Sequence, residues 1–144
     1  MIRNWSHTAA LLLVLVFGGC SDDPVEPDPA DAIVAMRLTI GAQTITINQA
    51  GTVTGGPVTV NAATTAVSAV FLDMGGQTIT LPTAEFEFRA VPDNSARLSF
   101  VRTGAFSGTL TRNATGAASL SVSLFHLGSG HDDFGPFSVP VTVQ

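Results

Sequence analysis

The chain of 144 residues has no lysine, no tyrosine and a single cysteine. The absence of lysine excludes catalysis through a lysine Schiff base or a Ser-Lys pair. The lone cysteine, Cys20, has no internal disulfide partner, which also excludes a thiol pair or a cysteine-rich zinc ribbon. The sequence further lacks a G-x-S-x-G elbow, an H-E-x-x-H pair and a glycine loop with the lysine that binds phosphate. These absences remove the enzyme classes that are easiest to recognise from sequence, and we predict a protein that is not an enzyme.

Charge is scarce and uneven. Of the eleven acidic residues, five lie in one short segment, and the six that follow nearly balance the five arginines in the same part of the chain. No cluster of basic residues is present. Binding to nucleic acid depends on such a cluster to neutralise phosphates, so we exclude that class of partner. The five clustered acids are Asp22, Asp23, Glu26, Asp28 and Asp31.

Long apolar runs are also missing. The longest is Ala9–Phe17, AALLLVLVF, and nine helical residues rise only about 14 Å. A membrane-spanning helix needs roughly 20 residues. An apolar run of this length, after a basic residue at Arg3, is typical of a secretory signal peptide, and we assign residues 1–19 to it.

The apolar run leads into FGGC, residues 17–20. This motif resembles a bacterial lipoprotein signal, in which small residues precede a cysteine that is acylated and becomes the new N-terminus. The resemblance implies that Cys20 carries acyl chains such as palmitate and holds the protein in membrane lipid. Ser21 after the cysteine implies the outer membrane, with the domain in the periplasm or at the cell surface. The alternative is that Cys20 is a free thiol.

Residues 20–32 are predicted to be a tether. The segment SDDPVEPDPADA has three prolines and five acids but only one large apolar residue. Such a composition buries too little apolar surface to offset the entropy of ordering the chain. We expect an extended spacer that reaches up to roughly 35 Å.

From Ile33 to the end of the chain, apolar residues recur at every second position, as in Leu120, Val122 and Leu124. A period of two predicts β-strands with one buried face, and we expect eight to ten of them in residues 33–144. Strands of this kind form two packed sheets or a barrel. Pro140 lacks an N–H group, so the last strand should lie at an edge or pair on one side at that point. Two similar stretches, LTIGAQTITI (38–47) and LDMGGQTITL (72–81), each predict a hairpin with a two-residue turn that begins at glycine.

The segment 81–127 resembles a bacterial immunoglobulin-like domain of the group 2 kind. The strand and turn residues that carry the resemblance are Phe86, Phe88, Pro92 to Ser95, Leu98, Phe100, Gly104, Gly108, Gly116 and Leu120 to Leu124. The resemblance implies an all-β, antiparallel sandwich of seven strands that serves spacing, adhesion or docking and has no general active site. We take residues 62–144 as its core and leave open whether residues 33–60 complete the sandwich or add a separate hairpin.

One loop concentrates the polar chemistry of the predicted domain. LFHLGSGHDDFGP, residues 124–136, contains His126, His131, Asp132 and Asp133, and no other histidine lies after the signal peptide. Two imidazoles and a carboxylate form a plausible ligand set for Zn²⁺ or Cu²⁺. The alternative is a plain hairpin loop, in which Asp133 caps the turn through a backbone N–H and Phe134 and Phe137 hold the loop to the core.

The strand that contains Glu85 and Glu87 offers a second pair of carboxylates, which the alternating pattern places on a solvated outer face.

Taken together, these features predict a lipid-anchored, non-enzymatic lipoprotein of the cell envelope with a binding, spacing or accessory module. Its partners are membrane lipid and an envelope protein or surface ligand. The alternative is a periplasmic protein that binds a divalent metal through the loop of His126 and His131.

Overall fold

The computed structural model describes residues 28–144. The predicted signal peptide, Cys20 and the tether as far as residue 27 lie outside the described residues. Within residues 28–144 there is no α-helix, and no helix in that part is long and apolar enough to cross a membrane. A short 3-10 helix at Pro29–Ala32 precedes eleven strands in the described part. The strands are β1 Ala35–Ile40, β2 Gln43–Asn48, β3 Val53–Thr54, β4 Val58–Val60, β5 Thr64–Leu72, β6 Thr78–Ile79, β7 Phe86–Pro92, β8 Leu98–Gly104, β9 Ser107–Arg112, β10 Gly116–His126 and β11 His131–Val143.

The strands form two sheets around one apolar core. The larger sheet has the order β3-β2-β1-β5-β9-β8, with β6 beside β5, and the smaller has the order β4-β11-β10-β7. Inward residues of both sheets, such as Met36 and Leu38 on β1 and Val122 on β10, are fully buried. The prediction of an all-β sandwich is confirmed. One pair departs from the antiparallel pattern, because β4 runs parallel to β11.

Residues 33–60 complete the sandwich instead of forming a separate hairpin. Strand β1 pairs along its whole length with β5, and Ala35 lies opposite Leu72. Strand β4 joins the other sheet through Val58–Val60, opposite Val141–Val143. The early strands therefore contribute to both sheets, and their apolar residues share the core of the later ones.

Pro140 lies in an interior strand, yet it fits there. On one side it is opposite Ser119 of β10. On the other side the pairing with β4 begins only at Val141, one residue later. The missing N–H group of Pro140 therefore removes no bond from the ladder between β11 and β4, and the prediction of one-sided pairing at this point is confirmed.

Only one of the two predicted two-residue hairpins is present. Gly41, with φ +59°, starts the two-residue turn between β1 and β2, where Ile40 is opposite Gln43. The similar stretch after β5 forms a five-residue loop, because Leu72 is opposite Thr78. There the carboxylate of Asp73 accepts bonds from the N–H groups of Gly75 and Gln77, each at 2.8 Å. An aspartate before the glycines thus changes the turn, since its side chain competes for the backbone donors.

The start of the folded part also differs from the prediction. The predicted tether extends to Ala32, but Pro29–Ala32 form a turn of 3-10 helix with Asp28 as its N-cap. Asp28 caps the turn by accepting a bond from Ala30 N–H at 2.9 Å, and Ala30 is buried in the core. The tether prediction depends on composition alone. Composition does not take account of the order of residues, and an aspartate followed by proline favours the start of a helical turn.

Candidate metal-binding site

The loop between β10 and β11 is a hairpin at one end of the smaller sheet. His126 is opposite His131, and Gly130 N–H donates to His126 O at 2.9 Å across a four-residue connection. Phe134 is buried, and its ring contacts those of Phe137 and Phe71 at centroid distances of 5.0 and 6.3 Å. The predictions of a hairpin and of phenylalanines that hold it to the core are both confirmed.

His126 shares the inward parity of Leu120, Val122 and Leu124 along β10. Its ring stacks on Phe86 of the neighbouring strand β7, with 4.6 Å between ring centroids, and its side chain is 21% exposed. The Nδ1 atom points away from the loop toward carboxylates, while Nε2 lies on the side of Gly128. The contact with Phe86 restricts the plane of the His126 ring.

Asp133 reaches this rim because the register of β11 slips at that point. Leu124 is opposite Phe134, but Phe125 is opposite Asp132, so the pairing passes over Asp133. An extra residue of this kind re-aims its side chain, as in a β-bulge. The side chain of Asp133 is only 12% exposed. The alternative interpretation expected Asp133 to cap the hairpin turn. Asp133 lies within β11 instead and does not cap the turn.

Both imidazoles converge on this one carboxylate. His131 Nε2 lies 2.7 Å from Asp133 Oδ1, and His126 Nδ1 lies 3.2 Å from Asp133 Oδ2. The two rings are 6.1 Å apart between centroids. Although the second distance is short, Oδ2 is fully buried and accepts no hydrogen bond of acceptable geometry. A buried carboxylate oxygen without a donor is energetically costly, so this atom is the outstanding anomaly of the site.

The structure adds Asp28 to the four site residues that the sequence predicts. Asp28 Oδ2 lies 3.9 Å from His126 Nδ1, and Asp28, His126 and Asp133 each offer a ligand atom within 4.8 Å of the others. Asp28 was assigned to the tether. Its cap position before Pro29 was the available signal, since an aspartate-proline pair marks the start of a helical turn.

Asp132 takes a different position from its neighbour. It is exposed and opposite Phe125, and it lines the same open hollow of about 430 Å³ without belonging to the close set of ligand atoms. The structure thus brings together His126, His131 and Asp133 of the four predicted residues. Four carboxylates and two imidazoles line the hollow, which gives it an acidic character: Asp28, Asp31, His126, His131, Asp132 and Asp133.

The second predicted pair of carboxylates is arranged differently from expectation. Glu85 is exposed and precedes β7, whereas Glu87 is buried beneath two arginines. Arg89 Nε lies 2.8 Å from Glu87 Oε1, and Arg102 of β8 contacts Oε2. The guanidinium of Arg89 also lies 3.1 Å from the ring centroid of Phe125. The prediction of a solvated Glu87 is wrong, because arginines from two strands cover the outer face of β7.

Comparison of the chain with protein-family models and with curated proteins gives no match. One nitrogen and two carboxylate oxygens on three separate segments suit a borderline divalent ion such as Zn²⁺ or Cu²⁺ better than a hard ion that prefers oxygen alone.

Proposed function

We propose that the protein is a lipid-anchored, non-enzymatic lipoprotein of the bacterial cell envelope, held by acylated Cys20 in the outer membrane. The observation that carries the proposal is the nine-residue apolar run that leads into Gly-Gly-Cys, with the only cysteine of the chain at its end. Two or more acyl chains give stable anchoring, since each buried methylene contributes about 0.8 kcal/mol. The β-sandwich is then a binding, spacing or accessory module in the periplasm or at the cell surface.

Cell fractionation of a Cys20→Ser variant tests the anchor. The unsubstituted protein should sediment with membranes and its N-terminal peptide should carry acyl chains by mass spectrometry. Cys20→Ser should lose both properties or stay at the length of the unprocessed chain. A matched control, Ser21→Ala, retains the cysteine and should remain in the membrane fraction. A processed Cys20→Ser protein that still sediments with membranes contradicts the proposal.

A second candidate function is divalent-metal binding by the same module. It is supported by the buried Oδ2 atom of Asp133, which has no hydrogen-bond donor and lies beside His126 Nδ1. Calorimetric titration of the full chain in detergent with Zn²⁺ and with Cu²⁺ should show one site per chain. The double variant His126→Ala/His131→Ala should show none. No heat at sub-millimolar metal, or the same affinity in the double variant, contradicts this function.

A further inference from the structure

Two of the three closest ligand atoms at the acidic hollow have the spacing that a bound ion requires. Two ligands that bind zinc at about 2.0–2.1 Å and a tetrahedral angle lie about 3.3 Å apart. His126 Nδ1 and Asp133 Oδ2 are 3.2 Å apart, and Asp28 Oδ2 is 3.9 Å from the same nitrogen. A small rotation of the Asp28 side chain, which is 39% exposed, therefore completes a three-residue set. The fourth position faces the open hollow and is suited to water.

The backbone fixes Asp28 in a position to contribute. Its Oδ1 atom accepts the bond from Ala30 N–H, and its carbonyl oxygen accepts one from Asp31 N–H at 3.0 Å. Ala30 and Ile33 anchor the turn in the core. Cap formation occupies one carboxylate oxygen of Asp28, so the other is directed at His126 without a bond to the cap.

Without a cation, the same arrangement is electrostatically unfavourable. Asp28 and Asp133 bring two carboxylates to one imidazole, and Asp31 and Asp132 line the hollow around them. Like charges at such separations repel, most strongly where a side chain is as sheltered as that of Asp133. A divalent ion at the centre replaces this repulsion by attraction to both carboxylates.

We propose that Zn²⁺ or Cu²⁺ bound by Asp28, His126 and Asp133 acts as a clamp that fastens the 3-10 turn Pro29–Ala32, through its N-cap Asp28, to the β10–β11 hairpin. This inference rests on the second candidate function and adds a role for the ion. Asp28 is the first residue of the described part, and the predicted tether precedes it. Ion binding therefore holds the first turn of the described residues against the β10–β11 hairpin.

The clamp predicts a role for His131 that differs from that of His126. Nε2 of His131 lies beside Oδ1 of Asp133, the oxygen that does not face the other ligands. A close contact at the outer oxygen of a ligating carboxylate helps to fix its orientation. His131 is thus a positioning residue, and the ion is held by one histidine and two aspartates.

The test combines Zn²⁺ affinity with hydrogen exchange on the full chain in detergent. Affinity is measured by competition with a chromophoric chelator for the unsubstituted protein, Asp28→Asn and the matched control Asp31→Asn, which removes a carboxylate from the same hollow. Asp28→Asn should weaken Zn²⁺ binding about tenfold or more, and Asp31→Asn less than about threefold. Zn²⁺ should slow exchange of the amides of Ala30 and Asp31 in the unsubstituted protein and in Asp31→Asn, but not in Asp28→Asn.

The outcomes separate the clamp from the metal site itself. Zn²⁺ binding with equal affinity in Asp28→Asn, and no protection of the turn amides, overturns the clamp and leaves the metal-binding function intact. In that case protection of Gly130 N–H alone would place the ion on the hairpin. Absence of both Zn²⁺ and Cu²⁺ binding in the unsubstituted protein overturns the metal-binding function and the clamp with it.

Discussion

The Oδ2 atom of Asp133 lies 3.2 Å from Nδ1 of His126 but accepts no hydrogen bond from it. The two atoms are as close as hydrogen-bonded partners. Two ligands of one zinc ion also lie about 3.3 Å apart, so the pair has the spacing of two atoms that share an ion. This relationship distinguishes the loop from an ordinary hairpin with solvated polar side chains.

Asp133→Asn should remove the stabilisation that Zn²⁺ provides. At a free Zn²⁺ concentration one hundred times Kd, binding to the folded state alone contributes about 2.7 kcal/mol. For a domain of this size, that raises Tm by roughly 10 °C. Differential scanning calorimetry with and without Zn²⁺ measures the shift, which Asp133→Asn should abolish. Asp132→Asn, a neighbouring carboxylate outside the ligand set, should retain it; equal loss in both variants contradicts the assignment.

His131→Gln and His126→Gln should have different effects on Zn²⁺ binding. Loss of the positioning contact at Asp133 Oδ1 should weaken Zn²⁺ binding by about 10- to 100-fold without changing the stoichiometry of one ion per chain. Loss of the His126 nitrogen should abolish binding at micromolar Zn²⁺. Calorimetric titration reports both quantities. If the His131 variant no longer binds Zn²⁺ and the His126 variant still does, His131 is the ligand and His126 is not.

Glu87→Ala should destabilise the fold, and Glu85→Ala should not. Glu87 is 9% exposed in its side chain and joins Arg89 to Arg102, so its removal leaves two arginines without their shared carboxylate. The arginines are 42% and 48% exposed, which limits the cost to about 1–3 kcal/mol. Glu85 is exposed, and its loss should change the free energy of unfolding by less than about 0.5 kcal/mol. Urea denaturation compares them, and equal values for both variants would show that the ion pairs carry no net stability.

Asp93 should contribute stability near neutral pH that is lost in acid. The backbone N–H and then the hydroxyl of Ser119 donate to its carboxylate at 2.8 and 3.0 Å, and these bonds lower the pKa of Asp93 below its ordinary value of 3.8. A depressed pKa in the folded state gives stability that is present above the unfolded value and lost as pH falls through the folded one. NMR titration of the carboxyl carbon should therefore show a pKa below 3.8. Ser119→Ala removes the hydroxyl donor and should raise the pKa; an unchanged value rules out its role.

Much of the fold follows from local sequence pattern. The inward parity of Leu120, Val122, Leu124 and His126 fixes which side of β10 meets the core, and the structure agrees. Turn lengths were less predictable. LTIGAQTITI and LDMGGQTITL look alike, but Asp73 captures backbone donors in the second and lengthens the loop. A single side-chain oxygen thus outweighs the shared glycine pattern.

The candidate site was predictable only where its residues are close in sequence. His126, His131 and Asp133 lie within eight residues, so one loop brings them together. Asp28 lies 98 residues before His126. The alternation of apolar residues along the strands does not indicate that the 3-10 turn packs against that hairpin. Glu87 shows the same limit, because Arg102, which covers it, belongs to another strand and another sheet. Contacts between sheets depend on packing that the local pattern does not encode.

Anomalous diffraction at the zinc edge, from crystals of the protein with Zn²⁺, tests the metal clamp most directly. A clamp predicts one strong peak at about 2.0–2.2 Å from Asp28 Oδ2, His126 Nδ1 and Asp133 Oδ2, with His131 on the far oxygen of Asp133. A peak on His131 with Asp28 turned away, or no peak at the hairpin, would contradict it.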